Sequence, residues 1–173
     1  MGQVIKDLGP CWIIWDPNGA NITWKKTFGG VIFRYEELRA PIHRDQAGET
    51  IVDEVTSGAV NPELECPFTQ EDNVKLTSLF ANSSAGVDYL KVSNPVGAAV
   101  LADAKLLIVK RIENGVVSTT AREWVRIYRA YPRITMELTW DNSTQRVTKT
   151  FFKGFPDDVS GRQGALWSYG TLP

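Results

Sequence analysis

Two strand-like stretches, a long polar segment between them and a capped helix straight after constrain this chain more than any other feature. Residues 31–38 read as a first strand and 59–68 as a second, with 39–58 as a long hairpin loop between them. The second strand alternates: Val60, Leu64, Cys66 and Phe68 on one side, with Asn61, Glu63 and Glu65 among the residues opposite. Pro62 and Pro67 each lack a ladder donor, so this strand is expected to have a free side or a bulge. The first strand alternates more weakly, setting Val31, Phe33 and Tyr35 against Ile32, Arg34, Glu36 and Leu38. Thr69 is a good N-cap, Glu71 and Asp72 suit the positive end of a helix dipole, and Leu76, Leu79 and Phe80 form an apolar stripe. These signals predict a helix over 69–82. No catalytic spacing falls in the stretch. A long hairpin without chemistry points to a part that touches other copies of the same chain.

The rest of the chain reads mostly as strand. An apolar strand opens at Cys11, turns at Asp16-Pro17-Asn18-Gly19, and pairs back through Ile22 to Trp24. Further strands are expected at 87–92, 104–112, 124–131, 134–140 and 144–153, with a hairpin turn at Glu113-Asn114-Gly115 and a break at Pro132. Regular structure is expected to end at 155–158. The sum is a mainly β fold: a β-sandwich or partial barrel with one flanking helix and a long hairpin loop. Residues 1–9 read as an N-terminal arm, 10–158 as the β domain and 159–173 as a C-terminal arm. The C-terminal arm carries Trp167 and Tyr169, so it is expected to dock rather than to hang free.

Length and composition exclude several function classes. With 173 residues, 43% hydrophobic and 23% charged, the chain can bury a sizeable core as an ordinary soluble globular protein. The net charge is -1, without the basic excess that phosphate binding brings. No apolar run is long enough for a membrane span, and the N-terminal residues lack the apolar core of a signal peptide. Cys11 and Cys66 have no pairing or zinc spacing and read as buried thiols in a reducing compartment.

Candidate chemistry is sparse. His43 is the only histidine and sits in the polar hinge. Glu63 and Glu65 share a strand face and could serve as acid and base or as calcium ligands, but a solvated strand face explains them as well. Arg122, Arg126 and Arg129 interleave with Trp124, Tyr128 and Tyr131, as single-stranded nucleic-acid sites do. Arg126 and Arg129 fall on opposite strand faces, however, which favours an ordinary sheet with aromatic cross-strand pairs. Gly29-Gly30 and Gly161-Arg162-Gln163-Gly164 lack the strand and helix that a phosphate loop needs. The expectation is therefore no enzyme, no cofactor, no catalytic residue and no metal ligand.

Several segments together resemble the major tail tube protein of long-tailed bacteriophages. They are Gly29-Gly30-Val31-Ile32-Phe33-Arg34-Tyr35, the run 45–53 (Asp-Gln-Ala-Gly-Glu-Thr-Ile-Val-Asp), the return strand 58–68, the helix after it, and Phe151-Phe152-Lys153-Gly154-Phe155-Pro156-Asp157. Ile51 stands where the family pattern has proline. The resemblance spans 29–157. It implies a structural virion protein whose copies close into hexameric rings, stacked into a tube through which double-stranded DNA passes without tight binding. It implies terminator, tape measure and tip proteins as further partners, and a place in the virion tail after assembly in the bacterial cytoplasm. On that view Arg39, Pro41, His43, Arg44, Asp45, Gln46 and Glu49 are stacking contacts, and Glu63 and Glu65 face the lumen. Two other readings remain open. One is a single-ring head-to-tail adaptor or tail terminator. The other is a monomeric carbohydrate- or ligand-binding sandwich using Trp12, Trp15 or Trp167.

Overall fold

The computed structural model describes residues 10–27, 29–43, 51–69, 73–80, 82–86, 88–93, 96–97, 101–113, 115–135 and 147–170. Its strands are β1 (Cys11–Trp15), β2 (Ile22–Trp24), β3 (Ile32–His43), β4 (Ile51–Phe68), β5 (Ser83–Ala85), β6 (Leu90–Val92), β7 (Lys105–Glu113), β8 (Val116–Val117), β9 (Val125–Thr135), β10 (Thr148–Phe155) and β11 (Trp167–Tyr169). One antiparallel sheet runs in the order β2-β1-β7-β9-β10-β4-β3, with β8 added to β7 and β11 to β9. The fold is mainly β, with one short helix, as the turn-punctuated alternation implies.

The two ends of this path approach each other. Just beyond β2, Thr27 bridges Phe68 at the end of β4, and the Thr69 N–H donates to the Lys26 carbonyl at 3.1 Å. The sheet therefore curls around its apolar face as a partial barrel. Its core is a row of inward positions in register: Trp15 beside Leu107, Leu107 beside Ile127, and Ile127 beside Trp167. Trp24 stacks on Phe68 at 4.8 Å between centroids, and Phe152 packs against Trp24 at 5.7 Å. The buried Trp15 indole N–H donates to the Ala130 carbonyl at 3.0 Å, so its polar end is satisfied. Each such side chain contributes roughly 1.5–3 kcal/mol by leaving water.

β10 alternates cleanly: Thr148, Thr150, Phe152 and Gly154 are buried, while Lys149, Phe151, Lys153 and Phe155 face outward. Gly154 is demanded by close packing. A Cβ there would lie 2.5 Å from Pro62 Cγ and 2.6 Å from Ile127 Cγ2. Pro62 itself sits where the β3–β4 register shifts between Arg34 and Glu36, one residue beyond the last β10 partner of β4, Glu63. Its missing N–H thus breaks no ladder.

Four boundaries differ from the sequence reading. The hinge of 39–58 is largely strand, since β3 and β4 pair as far as His43 and Ile51. Pro132 does not break β9, because β7 pairs only as far as Ala130 and leaves that side of β9 open. Among the described residues the helix α1 covers Asn73–Thr77, ending short of the expected 82. After it, Ser78, Leu79 and Phe80 bond three residues back in a tighter turn, and Ser83 Oγ lies 2.7 Å from the Thr77 carbonyl and 3.0 Å from that of Phe80. Leu76 and Leu79 still bury their side chains. Finally, regular structure does not end at 158. β11 continues along the edge of β9 that β10 occupies, taking 125–127 where β10 takes 129–135.

The loop between β10 and β11 is tied at its neck. The Asp157 N–H donates to the Ala165 carbonyl and the Gly164 N–H to the Asp157 carbonyl, both at 2.8 Å. The buried Asp157 carboxylate meets Arg162 Nε at 3.1 Å. Gly161 and Gly164 take φ of 86° and 79°, where a side chain would be strained.

Candidate assembly surface

Beyond the Lys153–Glu63 pair, β4 has only β3 as a neighbour among the described residues. The pairing nevertheless continues from Glu36–Val60 out to His43–Ile51. At about 3.3 Å per residue, these eight residues of β3 extend the ribbon by roughly 25 Å. A two-stranded ribbon alone is marginal in water. This one also carries register shifts after Leu38 and after Ile42. At the first, Ser57 Oγ donates to the Leu38 carbonyl at 3.1 Å and holds the bulge.

Following the alternation through those shifts sorts the arm into two faces. Glu36, Leu38, Ala40 and Ile42 lie with Val60, Gly58, Val55 and Asp53. Glu37, Arg39, Pro41 and His43 lie with Ala59, Thr56, Glu54 and Ile51 on the other side. Arg39 reaches both Glu37 and Glu54 at 3.7 Å, as residues of one face should. The second face is polar. The first is largely apolar and open: Leu38 and Val60 are 45% exposed, Val55 48% and Ile42 36%. The arm is also acidic: among its described residues Glu36, Glu37, Asp53 and Glu54 stand against Arg39.

Of the residues expected to mediate stacking, Arg39, Pro41 and His43 stand on the polar face of the arm. Arg44, Asp45, Gln46 and Glu49 lie outside the described residues. Glu63 and Glu65 share the sheet's outer face, opposite the core, but not as an isolated acidic pair. Glu65 is bound by Arg34 at 2.7 Å. Lys153 lies opposite Glu63, and Phe151 opposite Glu65. With Lys149 and Arg133 on the same face, four cations meet two carboxylates. The face is cationic in sum, so it does not supply the phosphate-repelling lining expected from the glutamates alone. Its pattern was readable in part, because Lys149-x-Phe151-x-Lys153 alternates in the sequence. Arg133 joins it only through strand pairing.

Other candidates fall into structural roles. Lys110 stands over the Trp124 ring at 4.0 Å and Arg126 at 5.2 Å, and Arg126 also donates to the Gly170 carbonyl. Arg129 is bound by Asp158 at 2.7 Å and donates to the Leu101 carbonyl at 3.0 Å. Two of the interleaved arginines, Arg126 and Arg129, are thus engaged within the subunit. Trp15 is buried, Lys25 covers Trp12 at 4.4 Å, and Trp167 packs against Phe33 and Tyr35, so none of the three offers an open platform for a sugar. Trp167 and Tyr169 belong to β11, in register with Ile127 and Val125. Burial pushes the Cys11 thiol up to about 11. Cys66 is raised well above the ordinary value, first by burial and then by Cys11 and Glu65. Neither provides a thiolate nucleophile near neutral pH. Among the described residues no cluster of three or more His, Cys, Asp or Glu could hold a metal, and no helix is long and apolar enough to cross a membrane.

Compared with known proteins, the chain matches no protein-family model and has no significant similarity to a curated protein.

Proposed function

We propose that this chain is a structural subunit that assembles with copies of itself into hexameric rings, stacked as the tail tube of a long-tailed bacteriophage and conducting DNA into the host. One observation carries the self-assembly reading: the β3–β4 arm, which extends past the last strand that flanks it and keeps an apolar face in solvent. A monomer gains nothing from such a face, whereas an assembling subunit needs one. The outer edge of β3, twelve residues long and unpaired among the described residues, is a second surface that a neighbouring sheet would cover. The step from self-assembly to a tail tube rests on the sequence resemblance over 29–157. The covered tryptophans favour this reading over a carbohydrate-binding sandwich.

Negative-stain microscopy across a concentration series, with sedimentation velocity beside it, tests the proposal. Hollow tubes or stacked rings are expected. A strict monomer at every concentration would overturn it, and rings that never stack would reassign the chain to a terminator or adaptor.

A further inference from the structure

The arm's partner surface follows from the charge on the two faces already described. We infer that the apolar, acidic face of one subunit's arm docks on the outer β9–β10 face of a second copy, around Arg133, Lys149, Phe151 and Lys153. The inference rests on the self-assembly reading above and adds which surfaces meet.

Three observations lead there. First, the arm cannot cover its own subunit's face. β4 passes unbroken from the arm into the sheet, from Ile51 to Phe68, so the arm prolongs that sheet and does not fold back over it. Second, arm-to-arm pairing is disfavoured. Among its described residues each arm has four carboxylates and one arginine, and Glu36 and Asp53 lie on the apolar face itself. Two such faces together would set like charges against each other. Third, the receiving face has the opposite chemistry. Lys149 and Lys153 flank Phe151 on β10, and Arg133 lies directly opposite Phe151 on β9. These three cations have no ion-pair partner among the described residues, while Arg34 is engaged by Glu65. Phe151 is half-buried and the lysine stems are apolar, so the face offers hydrocarbon to Leu38, Val55 and Val60 as well as charge to Glu36 and Asp53. The two surfaces differ, so the contact is head-to-tail and propagates through successive copies, closing a ring or extending a filament according to its rotation.

Charge reversal tests the contact on the full chain. One variant carries Glu36→Lys and Asp53→Lys, and another Lys149→Glu and Lys153→Glu. Circular dichroism and thermal melts establish that both fold. Assembly is followed by light scattering and microscopy. Each variant alone is expected to raise the concentration needed for assembly about tenfold or more. Mixed in equal amounts, they should co-assemble within a few-fold of wild type, because the reversed arm of one meets the reversed face of the other. Folded variants that each assemble like wild type would overturn the docking surface while leaving the tube reading intact. So would impaired variants whose mixture fails to recover. A wild-type chain that never assembles would overturn the tube reading, and the docking surface with it.

Discussion

The two halves of β4 show how much a strand depends on its neighbours. Residues 62–68 lie against β10, and Leu64, Cys66 and Phe68 disappear into the core. Residues 51–60 have β3 alone, and Val55 and Val60 stand about half-exposed. Both halves alternate apolar with polar residues, β-branched in the outer half and Leu, Cys and Phe in the inner. What differs is whether this subunit supplies the covering layer. The inner half spends its apolar surface on its own fold, whereas the outer half leaves it in solvent, where the proposed assembly would cover it.

Substitutions can break this contrast or sharpen it. The largest effect on subunit stability is expected at Phe152, where Phe152→Ala removes the ring that joins Trp15, Trp24 and Phe68. The loss should be about 3–5 kcal/mol, read as a lower urea midpoint. Gly154→Ala should lose about 1–3 kcal/mol by forcing Pro62 and Ile127 apart. A wild-type melting temperature for this variant would mean that β4 is held less tightly at its inner half than the packing implies.

The buried thiols give a pH-dependent signature of the same inner half. The folded Cys11 thiol holds its proton up to about pH 11, against an ordinary 9.0. The unfolded chain therefore releases that proton first, and stability that is complete below pH 9 declines as pH rises towards 11. Urea midpoints between pH 8 and 11 should show the decline, and Cys11→Ala should lessen it while the buried Cys66 thiol sustains the remainder. The smallest stability effect belongs to the arm. Leu38→Thr with Val55→Thr should shift the midpoint by no more than about 0.5–1 kcal/mol while impairing assembly. A large loss of stability would show that the arm is part of the subunit's own core after all.

The sequence was most legible where one face is buried. The alternation of 64–68 identified a strand and its inward residues Leu64, Cys66 and Phe68, because desolvation imposes a period of two, whereas Val60, read onto the same side, lies beyond the register shift and is exposed. It was least legible along the arm. There, register shifts near Ser57 and between Asp53 and Ile51 carry apolar residues out of phase, and a bulged strand reads as a polar hinge. The helix was read too far at its C-terminal end because Leu76, Leu79 and Phe80 keep a helical spacing, while the turn after Thr77 tightens to bonds three residues back. β11 escaped because three residues amid glycines give no period. Only the aromatics Trp167 and Tyr169 signalled that the tail docks. The alternation of Lys149, Phe151 and Lys153 marked one strand face locally, but Arg133 joins it only through pairing between distant segments.

The tied loop between β10 and β11 offers a practical handle on the assembled particle. Its neck is closed by paired backbone bonds and by Asp157 with Arg162, while 159–164 are exposed. A peptide inserted after Ser160 would be carried by the neck with little strain on the sheet. Repeated on every copy, such a graft turns one surface of the assembly into an addressable lattice. An antibody that decorates intact tubes along their length would place this loop on the outside wall, and a graft that is silent until tubes are broken would place it within.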